Sequence, residues 1–276
     1  MNKTILITGA SSGIGKATAK LFANNKWNVI ATMRAPEKET ELVRVENVLV
    51  SRLDVRDHDS IGRSIEAGIA RFGRIDALMN NAGYSLSGVF EALPSEKIQE
   101  QFEVNVIGVM DVTRAVLPHF RKNKGGLVIN ISSRAGLAGL PMISLYCASK
   151  HALEGFSESL AFELASQNII VKIIEPSGGV TGTNFGERVG RERPTNMPAD
   201  YNDFIASAGA FYAGMQSTCK TSADDVAQAI YNAATDGTKR LRYFTGEDTG
   251  GIVKAKREMP DEEYMELMRS RILTPG

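Results

Sequence analysis

The feature that most constrains this chain is an alternation of short apolar runs with segments of helical spacing, sustained from Lys3 to Ile174. Lys3–Thr8, Trp27–Met33, Val48–Leu53, Ile75–Asn80, Leu127–Ser132 and Ile169–Ile174 read as strands. Lys16–Asn25, Ser60–Phe72 and Ser144–Ala165 read as helices, the second on the stripe Ile61, Ile65, Ile69. Pro94-Ser95-Glu96 reads as a helix start with Ser95 as cap, and a long helix follows to about Phe120. Strands separated by helices pair in parallel through crossovers. Runs such as LVIN and VKII suit strands covered on both faces. The expected architecture is a doubly wound α/β fold, with about seven parallel strands and helices on both faces.

No linker divides residues 1–175, and no repeat or low-complexity tract occurs. Pro176–Thr221, rich in Gly, Pro, Thr and Asn, lacks a clear period and reads as a flap or short helices over a site. Ser222–Thr235 reads as a helix capped by Ser222, Leu241–Thr245 as a last strand, and Glu258–Arg271 as a charged terminal helix. The whole chain, 1–276, is therefore read as a single domain. It carries a flap at about 177–221 and a C-terminal extension at about 250–276.

Lys+Arg and Asp+Glu each number 32, which argues against a partner held by nucleic-acid phosphates. No apolar stretch reaches the roughly 18 residues a membrane span needs. The residues after Met1 lack a signal peptide's apolar region. Cys147 and Cys219 build neither a disulfide framework nor a zinc site. The expectation is a cytoplasmic protein with no membrane span, no nucleic-acid partner and no metal. His58, His119 and His151 share no spacing for a metal or a triad.

Thr8-Gly9-Ala10-Ser11-Ser12-Gly13-Ile14-Gly15 joins the first strand to the first helix. Glycines there let the backbone turn sharply and approach a pyrophosphate, and the helix start favours an anion. The spacing Gly-x3-Gly-x-Gly differs from the commoner dinucleotide fingerprint. An acidic residue about 20 positions further on would accept a ribose 2′-hydroxyl. Met33 stands there, followed by Arg34, whose planar guanidinium suits a 2′-phosphate. Arg34 thus suggests NADP (as NADPH) over NAD, with Lys38 a second candidate.

Tyr146 and Lys150 stand at i and i+4 of a helix and share one face. Ser132 and Ser133 end the preceding strand, where ligands of parallel sheets bind. A hydroxyl, a phenol and an ammonium beside a nicotinamide suit carbonyl reduction, which needs a proton at the substrate oxygen. At roughly 4 Å and an effective dielectric of 20 the ammonium attracts a phenolate by ~4 kcal/mol, which lowers the phenol's pKa before desolvation is counted.

These motifs, taken together, resemble the short-chain dehydrogenase/reductases, the single-domain branch with the Thr-Gly-x3-Gly-x-Gly turn. Leu53-Asp54-Val55, Asn80-Asn81-Ala82-Gly83, Val104-Asn105-Val106, Ser133, Tyr146-x3-Lys150 and Glu175-Pro176 follow in that family's order. The resemblance covers residues 3–185 and, loosely, 222–246, and implies a Rossmann-type sheet. It implies Tyr146 as general acid/base, Lys150 as the group that lowers its pKa and holds the ribose, and Ser133 as the substrate anchor. Asn105 would complete the catalytic set, positioning Lys150 through a water. Cofactor contacts are implied for Gly9, Ser11, Ser12, Gly13, Ile14, Gly15, Arg34, Asp54, Val55, Asn81, Tyr146, Lys150 and Val180. Asp54 would bond the adenine amino group and Asn81 the adenosine side.

Two departures stand out. Pro176-Ser177-Gly178-Gly179-Val180-Thr181-Gly182-Thr183 carries an apparent insertion, leaving Thr181 and Thr183 both open as carboxamide ligands. Ser12 occupies a position where many NADP users are basic. The stretch from Asn80 to Phe120 resembles the hydroxysteroid and retinol dehydrogenase-like subset, implying a bulky apolar ketone, aldehyde or alcohol as the small-molecule substrate. Tyr84, Leu86, Leu140, Met142, Phe185, Phe211 and Tyr212 are candidate pocket residues or, equally, core. Family members commonly pair through the helices bearing Asn105 and Tyr146, which implies a homodimer or homotetramer. Two other readings are a sugar-nucleotide epimerase or dehydratase and an NADPH-binding redox sensor without turnover. The glycine spacing and the lack of a large C-terminal domain count against the first, and the intact Ser/Asn/Tyr/Lys set against the second.

Overall fold

The computed structural model of the chain describes residues 2–183, 189, 194, 196–218 and 220–273. Phe185 and Cys219 lie outside the described residues. The strands are β1 Thr4–Ile7, β2 Asn28–Met33, β3 Val48–Arg52, β4 Ala77–Asn80, β5 Gly126–Ile131, β6 Ile169–Pro176 and β7 Arg242–Thr245. They form one sheet in the order β3-β2-β1-β4-β5-β6-β7, and every pairing is parallel.

The first helices are α1 Gly13–Asn24, α2 His58–Phe72, α3 Ser95–Phe102, α4 Gly108–Lys122 and α5 Ser144–Ala165. Then come α6 Asn202–Thr218, α7 Ala223–Thr235, α8 Ile252–Glu258 and α9 Asp261–Leu273. The period-two pleat of the strands explains the two-sided cover. Ile5 and Ile7 face a cluster with Phe22 of α1 and Val226 and Ile230 of α7. Leu6 faces the opposite cluster with Ile61 of α2, Val116 of α4 and Leu160 of α5. Each such fully buried aliphatic side chain contributes about 1.5–3 kcal/mol.

Four local expectations are corrected. Pro94, not Ser95, is the N-cap of α3: its carbonyl accepts from Lys97 and Ile98, and Ser95 lies inside the helix. Proline has no N–H to lose in that place. The long helix to Phe120 is interrupted by a π-turn at Glu103–Ile107. The terminal helix starts at Asp261 rather than Glu258, because Met259 before Pro260 is held in extended geometry (φ −95°, ψ 150°), and a separate short helix, α8, precedes it. The patternless flap region contains the seventeen-residue α6. Its alanines and Met215 favour a helix, but the residues around the stripe Phe204, Ala208, Phe211 and Met215 are mostly Ala, Gly and Ser, so the stripe has no charged face to set it off. No helix of the described residues is long and apolar enough to cross a membrane.

Candidate active site

The strand order reverses between β1 and β4, which opens a crevice at their carboxyl ends. The glycine turn leaves β1 there. Gly9 and Gly13 have φ of +69° and +53°, a region that costs other residues strain. A Cβ on Gly9 would stand 2.9 Å from Ala82 Cα, and one on Gly15 would strike the Gly9 carbonyl. Asn81, just after β4, pins the turn: Nδ2 donates to the carbonyls of Thr8 and Gly9 at 2.9 and 3.0 Å. The Thr8 hydroxyl in return accepts from the N–H groups of Asn81 and Ala82 at 2.9 and 3.0 Å. Ser12 caps α1 by backbone geometry alone, and its side chain makes no cap hydrogen bond.

Ser133 follows β5 and caps the short turn Arg134–Gly136, accepting from Ala135 N–H at 3.1 Å. Its hydroxyl also hydrogen-bonds the Tyr146 phenol. Lys150, one turn further along α5, donates from Nζ to Ile131 O at 2.7 Å and lies 5.6 Å from the Tyr146 ring centroid. Both side chains are buried. Burial pushes the Tyr146 phenol up to about 12, only partly opposed by the Ser133 hydrogen bond. That reverses the lowering expected from sequence. Desolvation wins because the charged form of the phenol is the one removed from water. Burial likewise draws Lys150 down to about 8, against the favourable charge of Glu154.

Ser132 lines the cavity described below but is not bonded to this group. Its buried hydroxyl has no hydrogen-bond partner among the described residues, and a Cβ on Gly136 would lie 2.7 Å from it. Asn105 sits in the π-turn, 1% exposed. Its Oδ1 accepts from Tyr84 N–H at 3.1 Å, and its Nδ2 donates to Tyr84 O and Ser149 Oγ at 2.9 and 3.1 Å. The amide thus ties the loop after β4 to α5 and does not line the cavity described next.

A cavity of about 730 Å³ runs along these groups. Gly9, Ser11, Ser12, Gly13, Ile14, Arg34, Asp54, Val55, Asn81, Val180, Ser133, Tyr146 and Lys150 all line it, whereas Gly15 is packed behind the turn. Arg34 is exposed at its rim, and Lys38 does not border it. Asp54 accepts from Arg56 N–H at 3.0 Å. Thr181 and Thr183 both line the wall: Thr181 is bonded to Thr221, while Thr183 packs against Gly13.

Of the candidate pocket residues, Tyr84, Leu140 and Tyr212 reach the cavity. Leu86, Met142 and Phe211 belong to apolar clusters instead. Sequence reasoning missed Arg56, Arg134, Ile143, Met215 and Gln216 as liners. The last two come from α6, whose register the sequence pattern did not announce. Cys147 is a buried free thiol pushed up by burial. The histidines are dispersed: His58 faces Asp111, His119 accepts from Ile75 N–H, and His151 contacts Cys147 O. Among the described residues no group of three His, Cys, Asp or Glu could hold a metal ion.

The short chain dehydrogenase family model matches residues 3–193. The uncharacterized oxidoreductase YusZ of Bacillus subtilis is 39% identical over 264 residues, 90% of this chain and 90% of that protein. Retinol dehydrogenase 8 of Bos taurus is 36% identical over 188 residues, 65% of this chain and 60% of that protein. Among solved structures, a short-chain dehydrogenase from Streptomyces avermitilis superposes with a TM-score of 0.82 at 32% identity, covering 99% of this chain and 97% of that one. A short chain dehydrogenase/reductase from Burkholderia phymatum in complex with NAD gives 0.77 at 26% identity, covering 100% and 97%. ElxO with NADP bound gives 0.74 at 29% identity, covering 92% and 100%. The parallel sheet, the glycine turn at its switch point and these matches along most of the chain together identify the protein as a member of the short-chain dehydrogenase/reductase family of oxidoreductases.

Proposed function

We propose that the protein is an NADPH-dependent reductase that interconverts a ketone or aldehyde with its alcohol. The observation that carries this reading is the convergence of Ser133, Tyr146 and Lys150 on the wall of one cavity that begins at the glycine turn. The residues present fit a dinucleotide. The N-terminal end of α1 offers backbone N–H groups toward an anion, and Gly9 and Gly13 keep clear the space that a Cβ would fill. Arg34 would meet a 2′-phosphate, Asp54 and Asn81 the adenosine side, and Val180 with Thr181 or Thr183 the nicotinamide side. When bound, the cofactor supplies or accepts the hydride at the substrate carbon.

The chain's own groups handle the proton. Ser133 holds the substrate oxygen by its hydroxyl. Tyr146, neutral below about 12, donates the phenolic proton to that oxygen in reduction and recovers it in oxidation. Lys150, fixed by Ile131 O, places its positive charge beside the phenol as negative charge develops there. Asn105 holds the loop after β4 against α5, which keeps Tyr84 on the cavity wall.

Leu140, Ile143, Tyr212 and Met215 line the cavity and favour an apolar, bulky substrate. Retinol dehydrogenase 8, by its name, acts on such a molecule. The chain functions as a single domain, with residues 177–221 as its flap and 250–276 as an extension. The buried free thiol Cys147 accords with the cytoplasm. Ile107 on the π-turn and Phe162 on α5 are exposed apolar side chains that suit a homodimer or homotetramer. Oxidation of NADPH against a panel of ketones and aldehydes, with NADH in parallel, tests the reading. No turnover of any apolar carbonyl compound with either cofactor would sink it.

A further inference from the structure

Behind the serines and Lys150 lies a polar layer that the proposed reaction leaves unused. Glu175, next to last in β6, is 1% exposed, and Glu154, one turn beyond Lys150 on α5, is 6% exposed. Arg242 of β7 reaches both: its Nε lies 3.1 Å from Glu154 Oε2 and 3.5 Å from Glu175 Oε1. Its Nη2 pairs with the half-exposed Glu158. From α8 the more exposed Arg257 stands 4.0 Å from Glu175 Oε2, and Arg240 acts on Glu175 at longer range.

Neither oxygen of Glu175, nor Oε1 of Glu154, accepts a hydrogen bond from the described residues. One N–H between two buried carboxylates does not satisfy two full charges, and like charges in one site drive a proton onto one of them. Burial, with Glu154's charge second, pushes Glu175 up to about 7 despite the three arginines. Glu154 also packs near the backbone of Lys150 and the Ser132 hydroxyl. A Cβ on Gly136 would touch Ser132 Oγ, Glu154 Cγ and Lys150 O at 2.7, 3.1 and 3.1 Å. Glu154 is the group whose charge opposes the burial of the Lys150 ammonium.

We propose that the proton held by this buried cluster sits on Glu175, the carboxyl that accepts no hydrogen bond from the described residues, while the Arg242-bonded Glu154 carboxylate sustains Lys150 as an ammonium. Glu154 is then a positioning residue for Lys150. This rests on the reading of Lys150 as part of the reaction, so one readout needs no substrate.

In protein with isotope-labelled glutamate carboxyls, the NMR signal missing from Glu175→Gln is that of Glu175. It titrates near neutral pH in the wild type and about one pH unit or more lower in Glu154→Gln. In turnover, the loss of kcat/KM at high pH moves down by about one pH unit in Glu154→Gln and returns toward wild type in Glu154→Asp. A Glu175 signal in the ordinary carboxylate range, or one unmoved by Glu154→Gln, overturns the proton on Glu175. A high-pH limb unmoved in Glu154→Gln overturns the positioning role. Should Glu154→Gln fail to fold, Glu154→Leu, which removes the buried charge without leaving a buried amide, carries the kinetic test: its limb also moves down, and an unmoved limb overturns the positioning role. If the wild type reduces no carbonyl compound, the reaction reading fails while the carboxyl titration still decides the pair.

Discussion

Lys150 Nζ is bonded at 2.7 Å to the carbonyl of Ile131, the last residue of β5, two residues before the serine that bonds Tyr146. One strand end therefore fixes both neighbours of the phenol. Ser133 is held by the turn that follows, and Lys150 by the backbone that precedes it.

Tyr146→Phe removes the proposed proton donor and little else. Turnover is expected to fall by about 10²–10⁴-fold. NADPH affinity, read by the quenching of protein fluorescence, stays within a few-fold. Full activity in this variant would remove Tyr146 from the mechanism.

Arg34→Asp exchanges a cation at the rim for an anion that repels a 2′-phosphate. Loss of a charge-assisted contact is worth about 1.5–3 kcal/mol, so the ratio of kcat/KM for NADPH over NADH should drop by roughly 10–100-fold. An unchanged ratio assigns the phosphate to other residues.

Gly15→Ala places a methyl group against the Gly9 carbonyl and the Asn81 amide. The overpacking is expected to cost about 1–3 kcal/mol and to disturb the turn on which cofactor binding depends. Denaturant unfolding and NADPH titration check both halves. Gly62→Ala, where an added Cβ meets nothing within 4 Å, is the control.

Lys150 carries a pH signature in stability. Burial holds it at about 8, below the ordinary 10.5. Between those values the native chain binds fewer protons than the unfolded one, so stability rises with pH across that window. Below it the buried ammonium costs about 3 kcal/mol. Lys150→Met is expected to gain most on the wild type near pH 7, less near pH 10. The orphaned Ile131 carbonyl subtracts about 1 kcal/mol at every pH. Tm values of the cofactor-free proteins at the two pH values test it, and a difference constant with pH would refute it.

Ile107→Asp with Phe162→Asp puts charge on two exposed apolar positions, one on the π-turn and one on α5. The expected result is a smaller particle by light scattering with unchanged secondary structure. An unchanged mass places the subunit contact elsewhere.

The sheet and its helices were legible because buried parallel strands and amphipathic helices impose different periods on hydrophobicity. Ser144–Ala165 was read to the residue. Ser133 and the Tyr146–Lys150 pair were legible because motif spacing and helix periodicity place them together. Less visible was anything decided by tertiary burial. The rise of Tyr146 to about 12 follows from its surroundings, not its neighbours in sequence. Glu154 looks like a solvated helix residue and Glu175 like a strand end, yet both lie in the interior. Met215 and Gln216 reach the cavity from a helix whose apolar stripe has no charged face opposite it to reveal its orientation.

That helix, α6, leans on α9 through a cluster in which Met215 and Phe211 meet Tyr264 and Met268. Met215 and Leu140 belong both to this cluster and to the cavity wall. The nucleotide end, by contrast, is framed by β1, β2 and β4 and the turns after them. The two ends are therefore separable in design. Repacking Tyr264 or Met268, which do not border the cavity, would reshape its apolar end from outside and leave the glycine turn untouched. A library confined to α9 would retune what that end accepts while the glycine turn and the Ser133, Tyr146 and Lys150 group stay as they are.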